Sequence, residues 1–565
     1  MRDSQEHNAD VLLAALAEEY FQCFLVHSPL FAHSLGLPGF DGGVGDPSRA
    51  ARRGQVAELA ALEARLHAID PAELAGQHRV TWSIMAVRLK DEQAWLAAEM
   101  HEVAVSGSVS GDLSMLFHLM PNAPLRDAAG AESYLKRLEA LGTYYDLLAE
   151  RYQESAADGK FPTASGVRQA LAQLEGYLAG GWDADPLLRP VPPEGVDTGE
   201  WRGRAQVILG SVVHPALRRL GKVWAEVLLP GARDDEHVGL RYVPGGRDGY
   251  QALVRLYTTT DLTAEEIHRI GLDALGELKS EIAAAGAAAF GTGDVADVLS
   301  RLRDAPELRF TSAEHIVSYV TDACERAREA VTGWFRDYAV PACEIREMSP
   351  HQARGGPAGA YIWPAADGSR PGVLLVNTHE PQQRSTATLE SLAFHEAVPG
   401  HHLQAVLGAE ADLPNFRRFR RSVAHAEGWG LYAERLADEM GLYSSESARI
   451  GMLSEAAVRA CRLVVDTGLH HYGWSRDQAI VFMRDNTAQS QINIEAEVDR
   501  YISMPAQALG YMLGQLRIQD LRARAAEELG PKFDLAEFHH QVLGHGSVPL
   551  DTLDEIITTW IEDIR

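Results

Sequence analysis

Apolar residues recur at i, i+3 and i+4 through 9–26, 54–69, 76–103, 131–155, 164–179 and 202–228. That period of about 3.6 residues predicts one amphipathic helix after another. Two further starts carry capping-box chemistry, in which a Thr hydroxyl and a Glu three residues on satisfy each other's backbone amides. Thr263-Ala-Glu-Glu266 opens a helix whose Ile267, Ile270, Ala274 and Leu278 share a face, and Thr311-Ser-Ala-Glu314 opens one expected to run to about Tyr338. Strand signals are sparse. Val373–Asn377 is a short apolar run between Arg370-Pro-Gly372 and Thr378-His-Glu-Pro381, and Ala360–Trp363 is a second. A hairpin across Pro364–Gly368 would join them. The fold expected is mostly α, a large helical protein with a small β-sheet. The Pro- and Gly-rich stretch 182–201 marks a surface crossing. It separates an N-terminal helical region, 1–200, from a second helical region, 201–565, the two forming one continuous unit around a cleft.

The chain has 565 residues, 46% hydrophobic and 23% charged, the make-up of an ordinary globular protein. Its 52 basic and 79 acidic residues leave a net charge of −27, which argues against a nucleic-acid partner and against docking on anionic lipid. Four scattered cysteines, Cys23, Cys324, Cys343 and Cys461, form no CxxC pair and suit a reduced compartment. The first residues lack a basic region followed by a long apolar one, and no run of 18 apolar residues occurs. A cytoplasmic protein without a membrane partner is the expectation from these features.

The chemistry is concentrated in Phe394-His-Glu-Ala-Val-Pro-Gly-His-His402. A His-Glu pair with further His close behind is the vocabulary of a zinc hydrolase helix, in which neutral imidazoles bind the ion and the Glu takes a proton from water. The usual spacing is HExxH, but the next His after His395 stand at i+6 and i+7. On a straight helix the first lies about 120° off the face and the second about 10.5 Å along the axis. Pro399 cannot donate to the carbonyl of His395, and Gly400 tolerates unusual dihedrals. A local bulge there would bring His401 to the ligand position, with His402 as its substitute. A solvated helix end is the plain alternative, and three His and one Glu within eight residues count against it.

A third ligand is expected in His425-Ala-Glu-Gly-Trp-Gly-Leu-Tyr-Ala-Glu434. Glu427 suits a second helix returning across the first, and Gly428 and Gly430 would let the two approach closely. Glu434, two turns on, suits a place behind the ligands, and His425 a place behind them or facing substrate. The expected cofactor is one Zn2+ ion on His395, His401 and Glu427, with Glu396 as general base. Candidates for stabilising an oxyanion are Tyr501, Tyr511 and His470, each of which could equally be a packed core or helix-end residue. Arg500 could hold a substrate carboxylate or pair with Glu497. Asn377 could bind substrate amides at an edge strand or simply end the strand in a turn. Pro244–Gly249 is Gly-rich but lacks a phosphate-loop pattern.

HEAVPGHHLQ followed by HAEGWGLYAERL resembles the bacterial domain-of-unknown-function 885 family. The resemblance extends over 239–271, 368–378, 462–480, 497–514 and 543–553. It implies a mostly helical, gluzincin-type zinc metallopeptidase, with the substrate left open. The motif is similar, more distantly, to that of dipeptidyl-peptidase III, whose zinc helix also carries an inserted residue before Gly-His. The function expected is hydrolysis of short peptides by water activated on zinc. The same residues would serve a zinc hydrolase of another amide or ester, and a helical protein that binds metal without turnover would keep the same motif.

Overall fold

The computed structural model describes residues 2–565 apart from 36, 38, 41, 108–110, 123–124, 337–339, 350–352, 354–355, 365–370 and 412. The chain is mostly α-helical with one small three-stranded sheet, as the periodicity predicts. The expected segments become Arg2–His27, Arg49–His67, Gly76–Ala98, Ala128–Ala157, Ala164–Ala179 and a run from Thr198 to Gly231 that contains two π-helical stretches. The crossing at 182–197 holds two short 3-10 turns. Thr263 and Glu266 close their capping box at the head of Ala264–Phe290. At the other predicted start the cap is Ser312, not Thr311, and the helix Ala313–Ala330 stops short of Tyr338, which lies outside the described residues.

No single helix among the described residues is long and apolar enough to cross a membrane. Ala264–Phe290 and Val295–Asp304 pass that test together only as a pair bent by 64°. Helix Glu446–Thr467 lies at the centre. Almost every residue along it is buried, and its apolar side chains contact Ala264–Phe290 and Arg476–Asn486 in one core. A helix buried along nearly its whole length has to sit inside others, and its buried Arg462 is paired with Glu497. A second core joins side chains from 9–96 to side chains from 403–561, so N- and C-terminal helices pack together. A third is confined to 44–228.

The sheet comprises β1 (Glu344–Glu347), β2 (Gly359–Ile362) and β3 (Val373–Val376) in the order β1-β3-β2. β2 pairs antiparallel to β3, Ile362 opposite Val373, so the expected hairpin forms, although its turn at 365–368 lies outside the described residues. β1, which the pattern does not predict, pairs parallel to β3. β3 is therefore the central strand, and the expectation that it offers a free edge is corrected: β1 and β2 hold both of its sides. Leu374 and Val376 pack into a core with Leu389, Ala393 and Phe394 of helix Thr386–Glu396. This contact seats the motif helix on the sheet.

Candidate metal centre

The HEAVPGHH segment is not one bulged helix. Helix Thr386–Glu396 ends at the Glu, the chain turns through Ala397–Gly400 with a cis Val398–Pro399 bond, and a new helix, His401–Glu410, begins. The reason is steric. A Cβ on Gly400 would stand 1.9 Å from the His395 carbonyl oxygen and 2.4 Å from that of Phe394. Only glycine fits the turn, and Pro399 has no N–H with which to continue the ladder. Trp429 Nε1 ties the turn down by donating to the Pro399 carbonyl at 3.0 Å. The turn does what the bulge was expected to do: it brings His401 back to His395, ring centroids 4.8 Å apart and planes at 87°.

Glu427, on helix Val423–Glu439, completes the group. Its Oε2 lies 3.5 Å from His395 Nε2 and 3.7 Å from His401 Nε2, and the three ligand atoms fall within 4.8 Å of one another. Donors about 2.1 Å from a tetrahedral ion stand roughly 3.4 Å apart, so the three atoms fit one ion with little adjustment. The imidazole side chains keep only 7% and 9% of their surface accessible, while Glu427 keeps 25%. The cluster thus opens to solvent on the carboxylate side.

Hydrogen bonds select the tautomers. His395 Nδ1 donates to Glu434 Oε1 at 2.8 Å, so the neutral imidazole presents the Nε2 lone pair to an ion, and without one Nε2 carries a second proton facing Glu427. Ser391 Oγ donates to the other Glu434 oxygen. The His401 tautomer is set through Gln404 and His425. His425 Nε2 faces the Val542 carbonyl at 3.0 Å and must be the N–H, so His425 Nδ1 accepts from Gln404 Nε2. Gln404 Oε1 is then the acceptor for His401 Nδ1–H, at 3.4 Å, and His401 Nε2 is the free lone pair. Burial would depress the His395 imidazole, but Glu427 and Glu434 outweigh it and hold the proton affinity up at about 10. Burial pushes the Glu427 carboxyl up, and His395 and His401 more than reverse this, holding it well below the usual range. A pocket that attracts a proton this strongly attracts a divalent cation for the same reason.

Glu396 is half-buried at the last position of its helix, and its charge acts on His395. Its carboxylate has no hydrogen-bond partner among the described residues. Gly430 sits under the His395 ring, where a Cβ would meet ring atoms at 2.5–2.6 Å. Gly428 meets Gly514 of helix Gly510–Leu529, a Cβ there lying 2.4 Å from the Gly514 Cα. One glycine thus admits the ligand and the other the neighbouring helix.

Other expected site residues lie apart. His402 points to the sheet, with Nδ1 2.8 Å from the Tyr361 hydroxyl and Nε2 2.8 Å from the Pro341 carbonyl, so it does not stand in for His401. His470, in the π-helical stretch Gly468–Tyr472, accepts from Leu240 N and donates to the Tyr501 carbonyl. Burial pulls it down to about 3, and both nitrogens are used in packing. The fully buried Tyr501 hydroxyl is held between Arg462 and Glu497. Arg500 pairs with Glu497 and with Gln507, the structural pairing weighed against a substrate role. Asn377, buried, donates to the carbonyls of Ala353, Gly356 and Pro357 and accepts from His379 N. It locks the turn after β3. Tyr511 differs: half-buried beneath the Arg462 guanidinium at 4.6 Å, it feels the Glu427 charge, which with burial raises its hydroxyl.

Two groups were not visible beforehand. Cys23, His27 and Glu58 also bring ligand atoms together, His27 Nε2 standing 2.8 Å from Glu58. Their signal is a Cys and a His four residues apart on one helix. Burial and Glu58 push the Cys23 thiol up to about 12. The other group is Trp363 and Arg421. The Trp363 ring lies 6.1 Å from that of His401, and the Arg421 guanidinium stacks on Trp363 at 3.2 Å. Nothing in their spacing, 58 positions apart, could have joined them.

Among curated proteins nothing matches the chain. Two solved structures match almost end to end. One, from Colwellia psychrerythraea, has a TM-score of 0.90 at 27% identity, covering 98% of this chain and 99% of that one. The other, of unknown function from Shewanella oneidensis, has a TM-score of 0.77 at 20% identity, covering 97% and 99%, and bears on fold alone. Each is described as a "putative lipoprotein". The description of the first, at 27% identity, overturns the expectations of a cytoplasmic location and of no membrane partner, since a lipoprotein is held at a membrane by its lipid. Of the features behind those expectations, the negative net charge bears on docking to anionic lipid and the lack of a long apolar run on spanning a bilayer, and neither bears on a covalently attached lipid. The family profile described as "Bacterial protein of unknown function (DUF885)" matches residues 29–557, and the chain belongs to that family.

Proposed function

We propose that this protein is a zinc-dependent hydrolase of short peptides. The observation that carries the reading is the convergence of His395 Nε2, His401 Nε2 and Glu427 Oε2, with the Glu396 carboxylate, unbonded among the described residues, close enough for its charge to act on His395. A divalent ion on those three residues, zinc by the chemistry of two imidazoles and a carboxylate, would supply Lewis acidity to a carbonyl and ease deprotonation of water. Glu396 takes the proton from the attacking water and delivers it to the leaving amine nitrogen. Glu434 and Gln404 keep the two imidazoles in the tautomers that present Nε2. Tyr511 is the hydroxyl that would donate to the developing oxyanion, because it is half-buried whereas Tyr501 is fully buried and held by Arg462 and Glu497. The near-complete burial of His395 and His401, with Glu427 only partly exposed, favours extended chains over folded proteins.

The test compares Glu396→Gln and His401→Ala with wild type on a peptide library. Glu396→Gln keeps zinc and loses about 10²–10⁴-fold in kcat, the usual worth of a general base. His401→Ala loses zinc. Equal background hydrolysis by wild type and Glu396→Gln, both holding zinc, defeats the reading. The lipoprotein description of the matched structures supports work at a membrane surface, which fractionation of cells tests.

A further inference from the structure

Arginines in this acidic chain are well supplied with carboxylates. Arg420 reaches Glu92, Arg462 reaches Glu497, Arg435 reaches Glu281 and Arg49 reaches Glu102. Arg421 is an exception. Among the described residues it makes no ion pair and no hydrogen bond, and its guanidinium rests instead on the face of Trp363. The Glu427 carboxylate and the Tyr361 hydroxyl are the charges that act on it. Neither makes an ion pair or hydrogen bond with it, so among the described residues its N–H donors are uncommitted.

The placement is what matters. Arg421 stands two residues before helix Val423–Glu439, which carries Glu427, and Trp363 follows edge strand β2, whose Tyr361 holds His402. Trp363 therefore spans from His401 to Arg421. Part of Arg421 is open to solvent, so it is reachable from outside, while the burial of its guanidinium against Trp363 pulls it down to about 9. A planar guanidinium held by stacking keeps its edge free for a bidentate carboxylate, and near neutral pH it is cationic. An extended peptide advances about 3.5 Å per residue, so a cation one aromatic ring beyond the ligand His401 meets a group about one to three residues past the bond at the metal.

We propose that Arg421, stacked on Trp363, is the subsite that binds a carboxylate of the substrate, so that the centre acts on peptides carrying a negative charge close to the scissile bond. This rests on the hydrolase reading for the position of the bond, but the binding of the anion is separable from turnover. A free C-terminal carboxylate and an acidic side chain present the same chemistry, and the probe set distinguishes them.

The experiment is calorimetry on zinc-loaded protein in the Glu396→Gln background, with and without Arg421→Gln. Three blocked tripeptides serve as probes: one with a free C-terminal carboxylate, its C-terminal amide, and that amide with a Glu side chain added. At least one carboxylate probe binds tenfold or more tighter than the neutral amide. Arg421→Gln removes that advantage and leaves the neutral amide and the zinc content unchanged, while Arg421→Lys keeps part of it. Tight binding of the first probe alone identifies the chain terminus, and of the Glu probe alone a side chain. Trp363→Leu, which removes the platform and keeps the charge, weakens the same probes. Equal binding of all three probes to the Glu396→Gln protein overturns the proposal, and so does a loss on Arg421→Gln that is the same for charged and neutral probes. If wild type cuts no peptide yet the carboxylate advantage holds and depends on Arg421, the hydrolase reading fails and the anion subsite stands.

Discussion

Glu434 grips His395 through Nδ1 at 2.8 Å, seven residues after Glu427 meets the same imidazole at Nε2 from the same helix. One face of Val423–Glu439 thus supplies both the candidate ligand and the acid that orients its neighbour. Glu434→Gln keeps the volume and removes the charge. Zinc affinity measured by chelator competition falls about 10–100-fold, the usual worth of an acid behind a ligating histidine. An unchanged affinity would show that Glu434 only packs.

The two glycines of the same helix separate site from scaffold. Gly430→Ala pushes a methyl into the His395 ring, and Gly428→Ala pushes one into the Gly514 backbone. The first loses zinc in solution with a modest fall in stability. The second costs stability, roughly 1–3 kcal/mol by urea unfolding, because backbone cannot step aside as a ring can. If both variants lose metal to the same degree at full folding, this division of labour is wrong.

Asn377 is buried with four hydrogen bonds to backbone groups. Asn377→Ala leaves buried partners unpaired and destabilises by about 1–3 kcal/mol. KM and kcat of the folded fraction stay at wild-type values. A selective rise in KM would return Asn377 to the substrate-binding role that its sequence position suggested.

Acid sensitivity follows from buried neutral histidines. Burial depresses His470 and His539 to about 3 each, while both carry values near 6.5 in the unfolded chain. Between those limits the unfolded state binds protons that the folded state refuses. Their contribution is complete above about pH 6.5 and is lost as pH falls towards 3, at up to about 1.4 kcal/mol per pH unit for each group. His539→Gln flattens the slope of unfolding free energy against pH over 4–6.5. An unchanged slope counts against a neutral buried His539.

Metal loading gives one firmly held zinc per chain, removed by His401→Ala and retained by Cys23→Ser. The raised thiol and the exposed Glu58 make Cys23, His27 and Glu58 the poorer set. Elemental analysis after dialysis checks the count, and a second firmly bound ion that Cys23→Ser removes reverses the ranking.

Much of the architecture could be read from periodicity, because amphipathic helices announce their buried face every 3.6 residues. β1 escaped because Glu-Ile-Arg-Glu alternates nothing, and without it β3 passed for an edge. At the centre, His395, His401 and Glu427 were recognisable from residue type, but the backbone between the histidines was not. Phase arithmetic on one helix treats Ala397–Gly400 as inserted residues, whereas the chain leaves the helix altogether and starts another. Tyr501, Tyr511, His470 and Arg500 share one kind of sequence setting, and only packing separates them. Trp363 and Arg421 meet through tertiary structure alone.

Because Glu427 and Glu434 ride on one rigid rod, the cluster has no way to loosen by halves. Any roll of that rod that withdraws the ligand oxygen also frees the imidazole it was steering. A roll of the helix that released a captured ion would therefore withdraw a ligand and free its neighbouring imidazole together.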